Sequence, residues 1–188
     1  ANHDAVTNVD YDPSRPARGK LYEKVKTSPW NVTTDLDWST PVDQESLALN
    51  EMKREDVQFF GDQVDLSGTP FAKWTEKEWV ELAIEGQNWT LSQFLHGEQG
   101  ALLCTARIVE TVPWIDAKYY AATQVVDEAR HVAVFAKYLA EKLSGHYPIN
   151  AHLDLLLDAI PPDSPWERPA PRTHIRAQAP PPPPLRAP

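Results

Sequence analysis

The chain has 188 residues, 41% of them hydrophobic, with 18 Lys and Arg against 27 Asp and Glu and a net charge of −9. Such acidity argues against nucleic acid or an anionic membrane as a partner, and no stretch approaches the roughly eighteen apolar residues of a membrane span. One domain of ordinary size is expected.

The polar N-terminus lacks the apolar centre of a signal peptide, so a soluble cytoplasmic protein is the expectation. Opening on Ala1 in place of methionine leaves processing or a fragment open. Cys104 is the single cysteine, which rules out an intrachain disulfide and a multi-cysteine zinc or iron–sulfur site. Within the run from Ala101 to Ala106 it reads as a small buried hydrophobe.

Residues 1–40 hold Pro13, Pro16, Gly19, Pro29 and many Asn, Asp, Ser and Thr, a composition that favours turns and predicts an irregular N-terminal arm. Trp30 and Trp38 are expected to anchor this arm on the rest of the chain. A helical domain is predicted over 41–160. Its first helix spans about 42–60, with Pro41 at its start and Leu47, Met52, Glu55 and Phe59 on related faces. A loop over 62–70 follows, and Thr75 with Glu78 three residues on gives the capping-box spacing that opens a long helix.

That helix and the next form a hairpin over 75–143. Pro113 cannot sit in a helix interior, so the turn falls there. On the first helix Leu91, Leu95, Glu98, Leu102, Thr105, Val109 and Val112 recur in steps of four and three, the spacing of a seam that faces a partner helix. On the second, Ala117, Ala121, Gln124, Glu128, His131, Phe135 and Tyr138 repeat it. Position 113 is the midpoint of Glu98 and Glu128, so both lie roughly 22 Å from the turn at 1.5 Å per residue. Glu128 and His131, one turn apart, point the same way. Buried ionised groups are paired, protonated or metal-bound, and two carboxylates converging with an imidazole suggest a metal. The plainer alternative is that Glu128 and His131 satisfy each other or Arg130.

Gly86, Gly97 and Gly100 each cost up to about 1 kcal/mol relative to alanine in a helix, so they need a reason. Close helix packing is one. The other is room near the ligands, where Gly97, Gly100 and Ala121 would line a substrate pocket with Gln124 beside them. After a C-cap at Ser144 and Gly145, a short helix is predicted from about 150 to 159. Residues 161–188, with the proline run 180–184, are expected to be a disordered or polyproline II tail, a ligand for a proline-recognising domain, or the product of out-of-frame translation.

The string Asp127-Glu128-Ala129-Arg130-His131, thirty residues after Glu98, resembles the ferritin-like, ribonucleotide-reductase-like di-iron carboxylate proteins, above all their oxygenase branch. The resemblance covers about residues 75–143 and implies an all-α fold with a ferritin-like helical hairpin, half of a four-helix di-iron bundle. It implies Glu98 as a terminal ligand of one iron, Glu128 as a bridge between two irons, and His131 on the same iron as Glu98. It further implies that Asp127 hydrogen-bonds a ligand histidine of an opposite repeat and that Arg130 pairs with that repeat's aspartate, roles that orient ligands from outside the metal's own shell. Where the reductases carry a radical tyrosine this chain has Phe135, which disfavours tyrosyl-radical chemistry.

Such bundles take one Glu from each of two helices and a Glu-x-x-His from each of the other two, and this chain supplies one of each. The expected function is therefore a di-iron oxygenase or oxidase that activates dioxygen for oxidation of an organic substrate, with manganese possible and zinc not excluded by the donor set. The remaining ligands would come from a missing second repeat or from a homodimer, and an electron donor is implied. The rivals are a ferroxidase or iron-binding ferritin-like protein, and a truncated or non-catalytic helical interaction module. His96 is expected on another side of the helix from Glu98.

Overall fold

The computed structural model describes residues 5–11, 16–27, 30–52 and 65–158, and every regular element among them is helical. In chain order these are α1 (Pro16–Lys26), α2 (Gln44–Met52), a 3₁₀ turn (Pro70–Lys73), α3 (Glu76–Thr111), α4 (Ile115–Lys142) and α5 (Ala151–Asp158). The expected all-α class holds for these residues. The helix predicted over 42–60 is present as α2 up to Met52; its remainder, with Glu55 and Phe59, lies outside the described residues, as does the Pro-rich tail.

α3 and α4 dominate, at roughly 54 and 42 Å by their residue counts. Thr75 caps α3 as its spacing predicts, its amide and hydroxyl donating to the Glu78 carboxylate at 2.6 and 2.9 Å. The Val112 amide still reaches the Ile108 carbonyl at 3.0 Å, and Pro113 then ends the helix. The Lys118 ammonium, from the first turn of α4, donates to the carbonyls of Val109 and Glu110 at 2.8 and 3.2 Å, which satisfies two of the carbonyls that the end of α3 leaves without a helical partner. The turn thus occupies 112–114 and sends α4 back along α3.

The arm departs from expectation. Residues 16–26 form α1 because Pro16 occupies the first helical position, where no N–H is required, and because tertiary contacts outweigh the cost of Gly19. Arg18 lies over the Trp114 ring at 5.1 Å and 3.5 Å from the Asp116 carboxylate, and Tyr22 stacks on Tyr119 at 5.5 Å. Those contacts clamp α1 to the hairpin turn. At the other end of α4, Trp38 anchors the arm as predicted: Lys137 lies over its ring at 4.9 Å, and Lys142 donates to the carbonyls of Trp38 and Thr40.

Beyond α4, residues 143–150 form a strap that returns along α3 on polar contacts. Asn88, Ser92 and Gln93, all buried, bind it: Asn88 Nδ2 donates to Ser144 Oγ at 3.0 Å, Ser92 Oγ accepts the Tyr147 amide at 2.9 Å, and Gln93 Oε1 accepts the Asn150 amide at 2.8 Å. The apolar side of the fold is thin. Ala48, Val80, Cys104, Val112, Ala121 and Leu139 are the buried hydrophobic side chains among the described residues, while Leu82, Trp89, Phe94 and Leu103 of α3 remain exposed.

Candidate metal centre

Glu98 on α3 meets Glu128 and His131 on α4 at mid-height of the hairpin. His131 Nδ1 is 3.1 Å from Glu98 Oε2 and 3.1 Å from Glu128 Oε2, and one ligand atom from each residue lies within 4.8 Å of the others. The meeting follows from sequence spacing: the glutamates are equidistant from Pro113, and His131 follows Glu128 by one turn. Among the described residues no other trio of His, Cys, Asp or Glu converges in this way.

The three differ in exposure. Glu128 is 3% exposed, whereas the side chains of Glu98 and His131 keep 27% and 35% of their surface. Burial is the main reason that the Glu128 carboxyl is pushed up to about 7, and the adjacent Glu98 carboxylate adds to it while His131 pulls the other way. Burial thus opposes ionisation of Glu128 near neutral pH, and a proton, a charged His131 or a bound cation would each relieve that cost. Ligands about 2.1 Å from a metal ion and at right angles to each other lie about 3 Å apart, close to the two His131 distances. Two carboxylates and an imidazole suit iron or manganese, and zinc accepts the same donors. The residues fit such an ion.

Phe94 and Phe135, one turn from Glu98 and His131, pack ring to ring at 6.0 Å on the same side of the hairpin. Gln124, one turn before Glu128, is half-buried on its face. Asp127 and Arg130 pair with each other within α4 at 2.5 Å.

The glycines divide. Gly100 is closely packed: a Cβ there would lie 2.4 Å from Leu157 Cδ2, so α5 packs against bare backbone. It borders a cleft of about 540 Å³ with Leu103, Cys104, Arg107 and Leu157, on the side of α3 away from Glu98. Ala121 is buried in the seam between the helices. Gly97 faces open space, and a methyl group added to its Cα would meet nothing within 4 Å. Gly97→Ala should therefore raise stability by up to about 1 kcal/mol, seen as a melting temperature higher by a few degrees. Unchanged metal content in that variant is expected; a loss would show that the space beside Glu98 is used by a ligand.

His96 stands apart from the cluster, as its position on the helix implies, with Nε2 3.0 Å from the Tyr147 carbonyl. What the sequence pattern missed is the buried polar group of Asn88, Ser92 and Gln93, whose only local signal is polarity at helical spacing, which ordinarily marks a solvent face. No family model, curated protein or solved structure matches the chain.

Proposed function

We propose that this chain carries half of a dinuclear iron or manganese carboxylate centre in a ferritin-like bundle, and that it acts in dioxygen-dependent oxidation of an organic substrate. The observation that supports this is the meeting of Glu98, Glu128 and His131 from two long antiparallel helices at 3.1 Å, the one-Glu plus Glu-x-x-His half-set of such centres. The metal, when bound, would supply the electrons for dioxygen activation. The protein's share is positional. Glu128 holds its carboxylate in a buried position, while the Glu98 carboxylate and the His131 imidazole keep 27% and 35% of their side-chain surface exposed.

The test is metal content by elemental analysis after loading with ferrous iron. His131→Ala is expected to lose most of the bound metal, with affinity lower by about tenfold or more. His96→Ala, which breaks only a contact to the strap, should retain it. Equal loss in both variants, or in neither, sinks the site. Dioxygen uptake then separates the chemistries: uptake sustained by a reductant and increased by an organic substrate marks an oxygenase or oxidase, whereas uptake that stops once the iron is oxidised marks a ferroxidase.

A further inference from the structure

We propose that a second copy of this chain completes the centre, two hairpins packing face to face in a metal-dependent dimer. The inference rests on the metal-centre reading above and adds the partner to it.

The first support is geometric. The ligand set of one hairpin is partly exposed: Glu128 is buried, while Glu98 and His131 keep 27% and 35% of their side-chain surface. Three protein ligands leave an ion that prefers six coordination short of its set. The second is the apolar surface beside the ligands, where Phe94 is 54% exposed although it packs on Phe135. The third is symmetry. Glu98 and Glu128 lie at equal distance from the hairpin turn, so a two-fold axis between the layers at that level brings both copies' ligands to one height. Two copies then supply four glutamates and two histidines, the full complement of a dinuclear carboxylate centre.

Charge explains why the dimer needs metal. Four carboxylates brought together repel, and two divalent cations neutralise them. Asp127 and Arg130, paired with each other within α4, add no net charge. An interface of this kind therefore closes around metal and opens when the metal is removed.

The experiment measures mass by light scattering and metal by elemental analysis on one size-exclusion peak, with Mn(II) or anaerobic Fe(II) and again with a chelator. The expected result is one metal per chain at the mass of two chains, reverting to a single chain in chelator. Metal held by a monomer overturns the dimer and leaves the metal site standing. Absence of bound metal removes both. A dimer that survives chelator and His131→Ala forms elsewhere and also overturns the inference. Phe94→Asp changes an exposed side chain outside the ligand set, so helicity by circular dichroism should persist. That variant should remain a single chain with metal present and bind it roughly tenfold more weakly, as expected where ligand binding and assembly are coupled. Metal-dependent dimerisation of Phe94→Asp at wild-type affinity would place the interface on another face.

Discussion

Replacing Glu128 with glutamine is expected to move stability and metal binding in opposite directions: the metal-free protein becomes more stable at pH 8 while bound metal is lost. The carboxyl's ordinary value of 4.5 is raised to about 7 by burial and by Glu98. Between those values the folded state keeps a proton that the unfolded chain has released. The contribution of this group to stability is therefore complete below about pH 4.5 and is lost as pH rises through 7. At pH 8 an ionised carboxylate sits in a site that is 3% exposed, and at 1.36 kcal/mol per pH unit the cost is on the order of 3 kcal/mol. Glutamine keeps the shape without the charge. Melts in chelator should show variant and wild type nearly equal at pH 5, and the variant higher by several degrees at pH 8. A gap independent of pH would mean that Glu128 is not the titrating group. An amide oxygen brings no negative charge to a cation, so the same variant should fail to hold iron. Wild-type protein, by contrast, should release protons on loading and gain more stability from metal at pH 8 than at pH 5.

The cost of burying a carboxylate made the Glu98, Glu128 and His131 cluster legible in the sequence, while much around it was not. A glutamate inside an apolar seam is costly unless something uses it, so Glu98 and Glu128 stood out against their own helices, and Pro113 fixed the turn that sets them level. The capping pair Thr75 and Glu78 marked where α3 begins for the same local reason. Features set by distant partners left no such trace. Gly100 is explained only by Leu157, on another helix. α1 depends on Arg18 and Tyr22 finding Trp114, Asp116 and Tyr119, so the Pro and Gly content of the arm pointed to irregular chain. Propensity yielded there to tertiary contact.

Asn88 is the extreme of that second class, and Asn88→Ala should be among the most destabilising single changes in the protein, at about 2 to 4 kcal/mol. The side chain is 0% exposed; its oxygen accepts from Gln44 Nε2 at 3.0 Å and its nitrogen donates to Ser144 Oγ at 3.0 Å. Gln44 closes the circuit by accepting the Ser144 amide at 2.8 Å, so one amide joins α2, α3 and the strap. Alanine leaves a cavity and deprives both neighbours of a partner. Asn88→Asp keeps the acceptor but loses the donor to Ser144 and buries a charge, so it should be no better than alanine. Ser92→Ala breaks the contact to the Tyr147 amide and should cost less, near ~1 kcal/mol. Denaturant melts give the order, and faster hydrogen exchange at the Ser144 and Tyr147 amides locates the damage in the strap. Metal content distinguishes structure from function here. Glu98 lies roughly 15 Å further along α3, so folded Asn88→Ala should bind as much metal per chain as wild type. Metal lost in step with stability would instead mean that the strap and the hairpin hold together as one unit.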